Sequence, residues 1–184
     1  MKYPDVVLTP KAGNRYDSLL RYYWAACAPE VEGGDWFLLK AIMHTENSKL
    51  LPYARSHAGA IGLFQFMPAT AEEVGISPID PEQSAFGASV YFRSLWLMWR
   101  KEEGLERIKF ACGSYNAGAG NILKAQHAAA AEGLPPDQWS SIASVLPKIT
   151  GVHAKETIDY VSRIMVQWKH FKGDKAAWDT SISP

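Results

Sequence analysis

Apolar residues recur along this chain mostly at three- and four-residue steps, the period of an amphipathic helix, and alternating strand patterns are scarce. Caps punctuate the pattern. Residues 14–28 form an aromatic-rich helical stretch that Pro29 ends. Asp35 is placed to cap a helix running to about Asn47, and Pro68 opens a short one, "PATAEEVG", that Gly75 stops. Asp80 and Pro81 start a long helix through about Glu103, closed by Gly104. Two more follow, from about Leu105 to Tyr115 and from Asn121 to Ala131, with Gly133 capping "HAAAAEG". A weaker helix is expected over 138–146. The final one, "AKETIDYVSRIMVQWKHF", puts Ile158, Val161, Ile164, Met165 and Trp168 on one face. Between Asn47 and Pro68 lies "SKLLPYARSHAGAIGLFQFM", with Gly59, Gly62 and little helical period. A loop near twenty residues is unusual in a compact domain and is usually either functional or a misassigned element.

The pattern contains one anomaly. In "DWFLLKAIMHTENSKL", a helical period puts Glu46 almost above Leu39 and one turn from Ile42 and Met43, so a carboxylate ends an apolar stripe. Lys40 and His44 fall on the opposite, wet side. Burial disfavours an ionised carboxylate and raises its pKa, and a carboxyl still protonated near neutrality is a general acid. Two plainer readings stand beside this one. Glu46 can swing into solvent at the helix end, or pair with a base such as Arg55.

Composition narrows the rest. The 184 residues suit one domain, with the first dozen and last ten residues loosely attached and Trp178 as a possible docking point. Hydrophobic content of 47% with 21% charge is that of a globular protein. Lys+Arg and Asp+Glu both number 19, which gives no basic surface for nucleic acid. No apolar run reaches membrane-spanning length, and no signal-peptide centre is seen at the N-terminus. Cys27 and Cys112 read as separate buried thiols. Without HExxH or a third ligand at a sensible spacing, His44, Glu46 and His57 do not form a metal site, so none is expected. The seven Trp and 12% aromatic content suit a core, and also a groove that stacks on sugars.

Four motifs occur in order: "LLKAIMHTEN", "SHAGAIGLFQFMPATA", "SYNAGAGN" and "KETIDYV". Together they resemble the catalytic domain of the soluble lytic transglycosylases, glycoside hydrolase family 23, relatives of goose-type lysozyme, over roughly residues 30–170. The resemblance implies a mainly α, lysozyme-like fold with a glycan-binding cleft between lobes, peptidoglycan glycan strands as substrate, and no cofactor. It places the catalytic acid on Glu46. It places substrate contacts on Ser56, on Gln65 of "GLFQ", on Tyr115 with Asn116 shaping the turn, and on Glu156. Each has a plainer role as well: Ser56 as a cap, Gln65 as a loop tie, Tyr115 as a core ring and Glu156 as a first-turn carboxylate. The chain departs from the family where Asn47, not serine, follows the acid, and where the spacing to Ser56 is one residue longer. Asn47 is expected to be able to donate to Glu46 as that serine does.

A glycosidase with two carboxylates holds them about 5–5.5 Å apart when retaining and about 6.5–9.5 Å apart when inverting. Glu72, Glu73 and Asp80 are available but read as surface or capping residues. A single acid suits a lytic transglycosylase that leaves 1,6-anhydromuramic ends. A hydrolase of the same bond and a non-catalytic glycan-binding module are the alternatives. The expected place of action is the periplasm or cell wall, with phage encoding suggested by the absent leader, and a monomer is expected.

Overall fold

The computed structural model describes residues 14–180, with side chains through Gly173. Expectations for the first dozen residues, for the end of the last ten (181–184) and for the Trp178 side chain fall outside the described residues. Eight α-helices follow one another: α1 (Asp17–Cys27), α2 (Trp36–Glu46), α3 (Pro68–Val74), α4 (Pro81–Met98), α5 (Gly104–Ala117), α6 (Ala119–Ala131), α7 (Trp139–Thr150) and α8 (Ala154–Thr180). A 3-10 turn, Gly151–His153, joins the last two. The described residues contain no strand, only isolated bridges from Ile61 to Arg55 and Phe66.

The caps work as the sequence indicates. The Asp35 side chain accepts from the Phe37 N–H, and that of Asp80 accepts from Glu82 and Gln83. Gly75 closes α3 in the left-handed conformation, and Gly133, also at positive φ, follows α6. Helix α8 continues nine residues past Phe171, to Thr180, and two other ends differ from expectation. Helix α4 stops at Met98 rather than Glu103, because Trp99 turns into the core and its indole donates to the Ser114 hydroxyl at 2.8 Å. Arg107 Nε takes the Trp96 carbonyl that further helix would have used, at 2.8 Å. Helix α7 runs through Pro147 to Thr150, four residues past its expected end. Its strongly one-sided burial (Trp139, Ile142, Val145, Leu146) outweighs one missing backbone hydrogen bond.

Helix α2 sits at the centre, with Phe37 through Met43 all buried. Helix α8 holds it at both ends. Trp168 Nε1 donates to Asp35 Oδ1 at 2.7 Å, and the Tyr160 hydroxyl donates to Glu46 Oε1 at 2.7 Å. The buried face of α8 is Thr157, Tyr160, Val161, Ile164 and Trp168, with Ile158 and Met165 half-buried at its margins. Cys112 is buried and Cys27 half-buried, both as free thiols.

Lys40 corrects the expectation of a wet face. It is 5% exposed, its ammonium bonded to Asn14 Oδ1 and Asp17 Oδ2 at 2.9 Å each and lying 4.9 Å from the Phe171 ring centre. His44 is half-buried against the same ring. The helix is covered all round, by α1 on one side and α8 on the other, so its polar stripe is roofed rather than solvated. Burial raises the Asp17 pKa despite the Lys40 partner. Lys40→Ala strands that carboxylate, whose Oδ1 already lacks a partner. It is expected to cost about 3 kcal/mol in urea unfolding, with Asp17→Asn recovering part of the loss in the double variant.

Candidate active site

Glu46 is the last residue of α2, where the helix period aims it along the apolar stripe. Neighbours Met43 and Asn47 are buried, while Glu46 itself keeps part of its surface open to solvent. Its carboxyl pKa is pushed up to about 7, chiefly by burial and further by the negative charge of Glu156. The Tyr160 hydrogen bond and the Arg163 charge pull the other way and lose. Arg55, the base considered from sequence, makes neither a hydrogen bond nor an ion pair with Glu46; the Oε1 bond from Tyr160 is the contact that orients the carboxyl. With Oε1 accepting that bond, Oε2 is the oxygen left to carry the proton.

These opposing effects give opposite expected shifts. Tyr160→Phe removes a bond to the charged form and raises the Glu46 pKa above about 7; Glu156→Gln removes a repelling charge and lowers it. Carboxyl-carbon NMR titration of the two variants reads both shifts, and movement in the same direction would contradict this balance.

The loop after α2 is pinned at Gly62. Its N–H donates to the Ala54 carbonyl at 2.9 Å. Its own carbonyl accepts from Asn47 Nδ2 at 3.1 Å and from Gln65 Nε2 at 2.8 Å. Asn47 also donates to the Leu51 carbonyl at 2.8 Å and accepts from the Leu51 N–H. Its amide is therefore spent on the loop, and not on Glu46 as expected. Within this stretch Leu50 takes a positive φ of 52°. Among the described residues Gln65 is the other non-glycine residue at positive φ, 48°, held by its side-chain bond to Gly62.

Ser56 is exposed, and its hydroxyl accepts from the Ala60 N–H at 3.0 Å, a turn cap within the loop. Tyr115, near the end of α5, is half-buried and donates to the Phe64 carbonyl at 3.1 Å. Burial and the nearby Glu46 charge hold its pKa well above the ordinary tyrosine value. The proton is thus directed at Phe64, and the phenolic oxygen presents lone pairs elsewhere. Asn116 Oδ1 accepts from the Thr157 hydroxyl at 2.7 Å, and its Nδ2 lies 3.5 Å from Glu156 Oε1. Asn116, Glu156 and Thr157 line a pocket of about 360 Å³ with Asn121, Thr150 and His153. Glu46, Tyr115 and Tyr160 therefore form one electrostatically coupled cluster, with Asn116 and Glu156 on an adjoining pocket. Ser56 and Gln65 belong to the loop that walls the cluster.

Sequence reasoning placed no function on Tyr160. It lies one turn after Glu156 on the buried stripe of α8, and a tyrosine among Val161 and Ile164 signals a hydroxyl needing an internal partner. Among possible second acids, Asp80 caps α4, and Glu72 and Glu73 are exposed on α3. Glu156 is the acid whose charge reaches Glu46. Among the described residues no group of three His, Cys, Asp or Glu is placed to hold a metal, and no helix is long and apolar enough to cross a membrane.

Among the described residues, a helical body whose second helix ends on a half-enclosed glutamic acid has a lysozyme-like fold. The fold matches that of the 70 kDa soluble lytic transglycosylase SLT70 of Escherichia coli with a TM-score of 0.66 at 20% identity, over 87% of this chain and 25% of that one. The lytic transglycosylase Slt of Pseudomonas aeruginosa matches with a TM-score of 0.62 over 89% of this chain and 25% of its own. Residues 25–134 match the family model of the transglycosylase SLT domain, and the chain belongs to that family. Among curated relatives, membrane-bound lytic murein transglycosylase F of Desulfosudis oleivorans is 32% identical over 162 residues, 81% of this chain and 36% of that protein. Its namesake in Vibrio cholerae is 37% identical over 119 residues, 62% of this chain and 22% of that protein. The chain thus spans about a third or less of these two relatives.

Proposed function

We propose that this chain is a peptidoglycan lytic transglycosylase domain that cleaves the β-1,4 bond between N-acetylmuramic acid and N-acetylglucosamine and leaves 1,6-anhydromuramic ends. The observation that carries the reading is the Glu46 carboxyl, titrating at about 7 under the Tyr160 hydroxyl with Tyr115 beside it. Glu46 donates its proton to the glycosidic oxygen as the bond to the muramic C1 breaks. Positive charge develops on the muramic ring, where the Tyr115 oxygen and the substrate's acetamido carbonyl stabilise it. The muramic 6-hydroxyl then attacks C1, and the Glu46 carboxylate takes the proton that hydroxyl releases. The acid is restored and no water is consumed. The intramolecular nucleophile gains its effective concentration from the ring that carries it. Ser56, Gln65, Asn116 and Glu156 are assigned to glycan contact, the first two through the loop and the others through the adjoining pocket. The chain is taken as one domain working as a monomer.

One observation favours a second reading. The Glu156 charge reaches Glu46, so Glu156 is the partner a hydrolase of the same bond would use. Under the transglycosylase reading Glu156→Gln retains anhydro product; under the hydrolase reading it loses hydrolytic product. Asn47, where the family has serine, has a structural role in holding the loop to Leu51 and Gly62, so its presence does not by itself favour a non-catalytic module. Loss of turbidity in a suspension of purified cell walls tests for an enzyme directly, and an unchanged suspension would leave only a binding module. The place of action is the cell wall. The relatives named above are bacterial proteins and lend no support to phage encoding.

A further inference from the structure

A row of tyrosines extends the site beyond the residues assigned so far. Tyr160 touches Glu46, and Tyr115 feels the Glu46 charge. Tyr91, on α4, packs edge-on against Tyr115 with ring centres 5.3 Å apart, and both rings contact Phe66 at 6.2 Å and 6.4 Å. The Glu73 charge on α3 also acts on Tyr91. The order Tyr160, Glu46, Tyr115, Tyr91, Glu73 therefore runs from α8 across to the α3–α4 side.

The hydroxyls in this row differ in one respect. Tyr160 donates to Glu46 and Tyr115 donates to the Phe64 carbonyl. The Tyr91 ring is half-buried, yet its hydroxyl has no hydrogen-bond partner among the described residues and is not one of the fully enclosed unpartnered atoms. A phenol with a fixed ring and an open hydroxyl is a donor already held in position, and ordering it costs little on binding. The ring is fixed by Phe66 and Tyr115. Core packing alone needs the ring but not the hydroxyl, for which phenylalanine would serve.

We infer that the Tyr91 hydroxyl is a further glycan-contacting group, donating to an oxygen of the sugar next to the scissile bond on the α3–α4 side. This rests on the functional reading above. The partly exposed Tyr115 and Tyr91 rings, backed by the buried Phe66, would supply an apolar wall for that sugar, and the hydroxyl would fix its register relative to Glu46.

The test is the affinity of a tetrasaccharide of alternating N-acetylglucosamine and N-acetylmuramic acid, measured by calorimetry on Glu46→Gln and on Glu46→Gln with Tyr91→Phe, so that no turnover intervenes. Loss of one neutral hydrogen bond is expected to weaken binding about three- to tenfold, with the thermal midpoint unchanged because the ring remains. Equal affinity would overturn this inference alone. No binding by Glu46→Gln itself would overturn the functional reading and this inference with it. Tyr91→Ala serves as a packing control: it is expected to lower the thermal midpoint as well as the affinity.

Discussion

Replacing Glu46 by glutamine is expected to reduce cell-wall cleavage by about 10²–10⁴-fold, the usual worth of a positioned general acid and base. The variant should still fold and bind glycan. Glutamine has the size of the protonated acid and keeps an oxygen for the Tyr160 hydroxyl, but it has no proton to give. Stability supplies an independent readout. The Glu46 pKa is about 7 in the folded protein against an ordinary value of 4.5, so the folded state binds more protons between those values. The stability that this protonation contributes is complete below about 4.5 and is lost as pH rises through about 7. Glu46→Gln removes that loss. It should be more stable than the parent at pH 8, with a smaller gain at pH 5. In the parent, cleavage should fall as pH rises through about 7, because the donor is then deprotonated. Near-normal turnover by Glu46→Gln would remove Glu46 from the mechanism.

The second large effect is expected at Gly62, which takes no part in proton transfer but holds the loop after Glu46. A Cβ at this position would sit 1.9 Å from the Pro78 carbonyl oxygen, a backbone atom that cannot rotate away. The φ of 86° is also one that only glycine adopts without strain. Gly62→Ala must therefore shift the loop or the segment before α4. A destabilisation of at least about 3 kcal/mol follows, which for a chain of this size lowers the thermal midpoint by roughly 6–12 °C. Cleavage should fall even where the variant is folded, because Asn47 and Gln65 both bond to the Gly62 carbonyl and the loop carrying Ser56 moves with it. A neighbouring control, Gly59→Ala, meets no atom within 4 Å and costs only the strain of its φ of 91°. Equal effects at the two positions would contradict the argument from Pro78.

The unequal legibility of the site follows from what each residue depends on. Local chemistry carried the caps at Asp35, Asp80 and Gly75, and helix period carried Glu46, because both act within one or two turns. Lys40 failed on the same period. A helix wheel assumes one wet face, and here α1 and α8 cover both sides, so the polar stripe is paired with Asn14 and Asp17 instead of hydrated. The ordered motifs carried Ser56, Gln65, Tyr115, Asn116 and Glu156 as a resemblance, but not which of them meet. The Glu46–Tyr160 contact joins residues 114 positions apart, and nothing local marks it. Asn47 shows the same limit in reverse. Its identity departs from the family where the loop is one residue longer, and only the folded loop relates the two, through bonds to Leu51 and Gly62.

Mass spectrometry of the sugars released from purified peptidoglycan tests the central claim most directly, since an anhydro end is lighter than a hydrolytic end by one water. A lone acid that first gives its proton and then accepts one from the muramic 6-hydroxyl must leave anhydro ends on the released fragments, and Glu46→Gln must leave almost none. Predominantly reducing muramic ends would contradict it, and would show that water, activated by a second group, does what this account assigns to the substrate itself.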